Sequence, residues 1–149
     1  MLVAGSLTVS IVESVIGTAG TDTITVGTAG TGGTFIRGGL GADALTGVAG
    51  TADTFNYTAI NQSDTGTFDT ISGFVTTSDK LQFAGLLTGT FAYQATAAFT
   101  GGGNSQARFE DTSTNILQID TNGDGVTDMK LTLTGITSAG IVAGDFVWS

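Results

Sequence analysis

Between Gly17 and Asn56 the chain repeats a unit of about ten residues four times, as GTAGTDTIT, GTAGTGGTFI, GGLGADALT and GVAGTADTFN. Each unit joins a glycine-rich turn to a short run of strand-forming residues. A unit this short cannot bury its apolar side alone, so the units must stack, and stacked short strands linked by Gly-Asp turns make a parallel β-roll. No other feature restricts the fold as strongly.

The chemistry of one unit is legible in GGLGADALT, residues 38–46. Glycines let the backbone take positive φ, so main-chain carbonyls such as those of Gly20, Gly39 and Gly41 can turn toward a cation. Asp43 adds a charged oxygen two residues before the apolar Leu45. The equivalent apolar anchors are Ile24, Phe35, Leu45 and Phe55, and the acidic places hold Asp22, Gly33, Asp43 and Asp53. Two units complete one coil, so the first unit faces the third and the second faces the fourth. This predicts that Asp22 and Asp43 share one calcium ion. It also sets Asp53 against Gly33, which has no side chain, so that side is expected to bind weakly or through carbonyls and water. The competing reading is a flexible Gly/Thr linker, against which the regular placing of the anchors argues.

A second candidate site lies in LQIDTNGDGVTDMKLTLTG, residues 117–135. Loop positions one, three, five and nine are Asp120, Asn122, Asp124 and Asp128, with Gly125 at position six and the Val126 carbonyl at position seven. This is the ligand spacing of an EF-hand loop, but position twelve is Leu131 rather than Glu, and neither flank has helical periodicity. Leu117 and Ile119 alternate before the loop, and Met129, Leu131 and Leu133 after it, so the loop joins two strands. A plain Asn-Gly or Asp-Gly turn explains the glycines but has no need of three mutually repelling aspartates.

Taken in order, GGLGADALTG with ADTFNY, FDTISGF with DKLQF, IDTNGDGVTDMKLTLTG and the final GDFVWS resemble the C-terminal region of serralysin-type proteins of the repeats-in-toxin group. The likeness runs from about Gly17 to Trp148. It implies a calcium-loaded β-roll running into a β-sandwich, in a bacterial protein exported by type I secretion machinery through an uncleaved C-terminal signal. On this chain the resemblance places roll ligands at Asp22, Asp43 and Asp53 and the later loop at Asp120, Asn122, Asp124 and Asp128. It places the export tail at Asp145, Phe146, Val147 and Trp148. Asp69 and Asp79 match positions that join roll to sandwich, either through a further calcium or as turn caps. The chain departs from the pattern at Gly33, at an inserted Thr51, at Gly73 where an acid is usual, and at the extra Ser149.

Composition agrees. The chain of 149 residues has 40% apolar residues and nine Phe, enough for a real core, and only 11% charged residues, which argues against disorder. Thirteen acids against four bases give a net charge of −9, and eleven of the acids are Asp, concentrated in the cation-like loops. Arg37, Lys80, Arg108 and Lys130 do not cluster, which disfavours nucleic acid and anionic membrane as partners. With no Cys, disulfides cannot staple the fold, and calcium is the natural substitute in an exported chain. MLVAGSLTVSIVESVIG lacks a basic leading segment and is broken by Glu13, so it does not read as a signal peptide, and no apolar run is long enough to span a bilayer.

The expected class is all-β with little helix: an N-terminal strand or junction at 1–16, the roll at 17–56, and a sandwich with the calcium hairpin and tail at 57–149. Strands are expected over Leu7–Val12, Asp69–Phe74, Lys80–Phe83, Phe91–Tyr93 and Ala107–Glu110. Single helical turns are expected at Ala59–Ser63 or Gly85–Thr88, and an exposed loop at Thr100–Ser105. With neither His nor Cys the chain lacks an imidazole base and a thiol nucleophile, and calcium-bound carboxylates are poor proton shuttles, so the module reads as non-catalytic. The alternative to an export module is a structural piece of a bacterial surface layer or adhesin, self-associating at the cell surface. A third reading, ice or carbohydrate binding by Thr21, Thr23 and Thr25, needs stacked Thr-x-Thr rungs where the next coil offers Ala42, Ala44 and Thr46.

Overall fold

A computed structural model describes residues 5–10, 13–28 and 32–148. The expectations that touch Met1–Ala4, Ile11, Val12 and Ser149 lie outside the described residues. The chain is all-β and forms two layers. One sheet holds β1 (Ser6–Ser10), β3 (Thr23–Thr28), β5 (Ala44–Thr46), β7 (Asp69–Ser72), β9 (Phe91–Tyr93), β10 (Ser105–Phe109), β11 (Ile116–Asp120) and β12 (Met129–Leu133). The other holds β2 (Ser14–Ile16), β4 (Phe35–Arg37), β6 (Thr54–Tyr57), β8 (Lys80–Phe83) and β13 (Phe146–Val147). Successive strands alternate between layers from β1 to β8, so each pair makes one coil. The first sheet runs β1-β3-β5-β7-β12-β11-β10-β9 and the second β13-β8-β6-β4-β2.

All pairs of the smaller sheet are parallel. The larger sheet is parallel from β1 to β12 and turns antiparallel at β12-β11-β10. Strand register stacks one inward residue on the next: Leu7, Ile24, Leu45, Ile71 and Leu133 in one layer. In the other layer the ladder is Val15, Ile36, Phe55, Leu81 and Phe146. Strands of three or four residues suffice because each needs to bury only a side chain or two per coil, and each such burial stabilises by about 1.5–3 kcal/mol. The coils lengthen from 21 to 26 residues along the aspartate positions of the larger sheet. The register holds because the added residues go into the turns.

Two expectations need correction. The anchor of the second unit is Ile36, fully buried, while Phe35 is half-buried and faces outward beneath Arg37. The turn of this unit carries extra residues, so the ten-residue alignment slips by one. Ser105 is no part of an exposed loop; it is buried and opens β10. Of the two places expected for a helical turn, Ala59–Ser63 holds it, as a 3₁₀ turn at Ile60–Gln62, and Gly85–Thr88 has none; another 3₁₀ turn forms at Ala143–Asp145. Of the threonines considered as a ladder, Thr23 stacks on Ala44 and Thr25 on Thr46, and Thr21 precedes the strand. Among the described residues no helix is long and apolar enough to cross a membrane.

Candidate metal centre

The turn aspartates form two columns, one on each side of the roll. In the first, Asp22 Oδ1 accepts from the Gly5 amide at 3.0 Å, Asp43 Oδ1 from the Asp22 amide at 2.8 Å, and Asp69 Oδ1 from the Asp43 amide at 2.8 Å. In the second, Asp53 Oδ1 accepts from the Thr34 amide at 2.7 Å and Asp79 Oδ1 from the Asp53 amide at 2.9 Å. Each carboxylate thus ties its own coil to the preceding one by a charge-assisted bond. All five aspartates are at most 3% exposed. Asp22 and Asp43 do meet. Asp53, however, meets Thr34 and not Gly33, a correction that follows from the same one-residue slip that moved the anchor to Ile36. Gly33 sits one residue earlier, packed so closely on Ala52 that a Cβ would overlap its carbonyl.

The second carboxylate oxygen folds back over its own turn. Asp22 Oδ2 accepts from the Thr18 amide at 2.7 Å and hydroxyl at 2.8 Å, Asp53 Oδ2 from the Val48 amide and Asp79 Oδ2 from the Val75 amide, each at 2.8 Å. This explains why the unit starts with glycine: a Cβ at Gly17 would lie 2.8 Å from Asp22 Oδ2, one at Gly47 2.8 Å from Asp53 Oδ2, and one at Gly38 would overlap Asp43 Oδ2. The inserted Thr51 is absorbed locally, its hydroxyl donating to the Val48 carbonyl at 2.8 Å. Asp43 breaks the rule. Its Oδ2 is buried and, among the described residues, has no hydrogen-bond partner. At the place of Thr18 stands Gly39, with φ +113°.

The turns at 17–22 and 38–43 are in direct contact. The Leu40 amide donates to the Thr18 carbonyl at 3.0 Å, and a Cβ at Gly41 would meet the Gly20 carbonyl carbon at 3.0 Å. Gly20, Gly39 and Gly41 therefore bring bare backbone to the seam between the turns. Electrostatics distinguish the column members. Burial penalises the charge of Asp22, but donors from Thr18 and Gly5 outweigh it and hold its carboxyl below the ordinary range. Burial, with the neighbouring Asp22 charge, pushes Asp43 up despite the Asp22 amide. Burial raises Asp69 to about 7, opposed by the Asp43 amide and the Tyr57 hydroxyl and reinforced by the Asp43 charge. Burial also raises Asp79.

Asp69 ends its column. Tyr57 donates its hydroxyl to Asp69 Oδ2 at 3.0 Å, and the Asp69 amide donates to Ser63 Oγ at 2.9 Å. Neither Tyr57 nor Ser63 stood out in the sequence. Thr34 could have been found by aligning the second unit on Ile36.

In the hairpin between β11 and β12 the side chains curl around their own loop. Asp120 Oδ1 accepts from the Gly123 amide at 2.6 Å and Oδ2 from the Gly125 amide at 2.8 Å. Asn122 Oδ1 accepts from the Asp124 amide and Asp124 Oδ1 from the Val126 amide, both at 2.8 Å. Asp128 Oδ2 accepts from the Thr121 amide and hydroxyl at 2.8 and 2.6 Å. Among the described residues no donor reaches Asp124 Oδ2 or Asp128 Oδ1, so the loop offers unengaged carboxylate oxygens at positions five and nine. Val126 is exposed. Among the described residues, no three acidic side chains converge on one point as a ready-made cage.

The four tail residues pack into the fold, Asp145 and Phe146 buried and Val147 and Trp148 half-buried. Asp145 is fully buried; it accepts from the Thr76 hydroxyl and the Thr77 amide at 2.7 Å each and pairs with Lys80 at 3.8 Å. Phe146 and Val147 form the last strand on β8. Trp148 packs on Phe83 at 4.9 Å and Phe91 at 5.0 Å.

Residues 4–148 match the family model described as the peptidase M10 serralysin C terminal. Nothing among curated proteins matches. Among solved structures, the fold is similar to the solution structure of the AlgE6R2 subunit from the Azotobacter vinelandii mannuronan C5-epimerase. That match has a TM-score of 0.52 at 21% identity and covers 97% of this chain and 92% of that one. With nearly its whole length matched, the chain belongs to the serralysin C-terminal family of peptidase M10, the non-catalytic C-terminal part of a protease family.

Proposed function

We propose that this chain is a calcium-triggered folding module which carries the export address of a secreted bacterial protein. The observation that carries the reading is the orphaned Asp43 Oδ2. A buried carboxylate oxygen without a donor costs on the order of 1–3 kcal/mol, and this one packs over Gly38 in a turn stacked directly on its neighbour. A hard cation bound by oxygen ligands would satisfy it, with Asp22, Asp43 and carbonyls of Gly20, Gly39 and Gly41 as its holders. The hairpin would hold a second ion through Asp120, Asn122, Asp124, Asp128 and the Val126 carbonyl. Asp53, Asp69 and Asp79 complete the two columns, where each carboxylate that accepts one amide retains lone pairs for a cation. Calcium, when bound, supplies the positive charge that offsets stacked carboxylates.

The consequence is a switch set by location. Where free calcium is far below the roughly 0.1–1 mM affinities of extracellular modules, the columns are self-repelling and the chain stays extended for transport. Outside, each site filled at about ten times its dissociation constant contributes about 1.4 kcal/mol, enough in sum to decide whether a marginal domain folds. Asp145, Phe146, Val147 and Trp148 would be read by type I secretion machinery in the extended chain, since in the fold the first two are buried and the last two half-buried. Asp43→Asn keeps the shape and the Oδ1 acceptor but replaces the orphaned oxygen with an amide nitrogen. Measured by calorimetry, it is expected to weaken calcium uptake more than Asp53→Asn, whose second oxygen already has a donor. Equal losses, or none at Asp43, would remove the basis for the shared site.

A further inference from the structure

We propose that the hairpin loop controls the docking of the C-terminal tail, with Ser105 and Asn104 as the positioning residues that connect them through β9. The proposal rests on the reading of the loop as a calcium site. Ser105 is fully buried, and its single hydroxyl joins two segments: it donates to the Thr121 carbonyl inside the loop at 2.6 Å and accepts from the Thr88 amide at 2.8 Å. The Ser105 amide donates back to the Thr88 carbonyl at 2.9 Å. Beside it, the amides of Gly102 and Gly103 both donate to the Gly123 carbonyl at 2.9 Å. Gly123, at φ +75°, lies so close to Asn104 that a Cβ would overlap the Asn104 amide nitrogen. Asn104 Oδ1 then accepts from the Thr90 amide at 3.0 Å and hydroxyl at 3.2 Å.

Thr88 and Thr90 lead directly into β9. This strand is the outer edge of its sheet and is held by three residue pairs to β10, so in this proposal it is the element that attaches or frays. Its side chains form one side of the tail's seat, and β8 with Phe83 forms the other. Phe91 lies 4.9 Å from Phe146 and 5.0 Å from Trp148, and Tyr93 lies 5.7 Å from Phe146. A loop held in one shape fixes Thr121 and Gly123, these fix Ser105 and Asn104, and the attached β9 completes the aromatic seat. By reciprocity a docked tail raises the loop's calcium affinity by the same factor.

Trp148 is the chain's single tryptophan, so its emission reports tail docking directly. The test follows Trp148 emission and, by equilibrium dialysis, bound calcium in the whole chain as wild type, Asp124→Ala, Ser105→Ala and Thr90→Ala, with circular dichroism to establish that each folds. Asp124→Ala is expected to weaken one calcium and to move the Trp148 midpoint to higher calcium with it. Ser105→Ala is expected to retain the loop ion with affinity reduced about fivefold or more, while the Trp148 midpoint no longer follows loop occupancy. Thr90→Ala, which removes the longer hydroxyl bond of the Asn104 branch and leaves the Thr90 amide bond in place, shifts the midpoint in the same direction by less. Loss of a calcium in Asp124→Ala with an unchanged Trp148 midpoint overturns the coupling alone, as does wild-type behaviour of Ser105→Ala and Thr90→Ala in both signals. If Asp124→Ala binds calcium as the wild type does, the reading of the loop fails and the coupling with it.

Discussion

The roll turns and the hairpin loop both present aspartates beside glycines, yet they use them differently. The roll aspartates are buried, and each reaches into the neighbouring coil, so Asp53 serves the Thr34 amide nineteen positions away. In the hairpin the bonds of the candidate ligand side chains are local: Asn122 and Asp124 are exposed and serve amides two residues on. The carboxylates of a similar motif thus tie coil to coil in one place and shape only their own loop in the other. Sequence spacing identifies candidate ligands in both, but only the register shows which of them also hold the fold together.

The largest test of this contrast is Asp53→Ala against Asp124→Ala. Removing Asp53 leaves two amides, those of Thr34 and Val48, without their acceptor, at about 1–3 kcal/mol each, whereas Asp124→Ala is expected to stay within about 0.5 kcal/mol apart from its lost calcium. Urea unfolding in saturating calcium measures both, and equal losses would erase the distinction. Ile36→Ala against Phe35→Ala sharpens the register on which it rests. The buried Ile36 is expected to cost about 2–5 kcal/mol and the outward Phe35 well under half as much. A reversed order would restore the unshifted alignment.

A smaller effect comes from protons. Asp69 binds its proton more tightly in the fold, at about 7, than in the unfolded chain, at about 3.9. The folded state therefore gains stability as pH falls through that window and loses it as pH rises toward 7. Asp43 and Asp79, also raised by burial, act in the same direction, while Asp22, held low, opposes them only at the acid end. With calcium chelated, circular dichroism is expected to show more β structure at pH 5.5 than at pH 8, and Asp69→Asn to flatten the difference. An Asp69→Asn profile that parallels the wild type would assign the effect elsewhere.

Much of this was legible in the residues. Glycine before aspartate before an apolar side chain is a physical rule here, because the carboxylate folds back over the glycine Cα and the apolar residue two places on points inward. The rule located Asp22, Asp43 and Asp53 and the alternation of layers. It failed in the second unit, where extra turn residues moved the anchor from Phe35 to Ile36 and the column position from Gly33 to Thr34. Asp69 and Asp79 lacked the repeat's glycine spacing, because their coils have grown to 26 residues, and only the ladder reveals them as column members. Ser105, Tyr57 and Ser63 act through contacts with residues distant in the chain, or across the roll, which no local pattern encodes.

The most direct test of the central claim is a calcium titration of the chelated chain, followed together by far-ultraviolet circular dichroism and by calorimetry. The account predicts a transition from disorder to β structure coupled to saturable binding at roughly submillimolar to millimolar calcium. A chelated chain that is already fully folded and takes up no calcium would contradict it, leaving the Gly-Asp turns as turns and the two aspartate columns as purely structural ties.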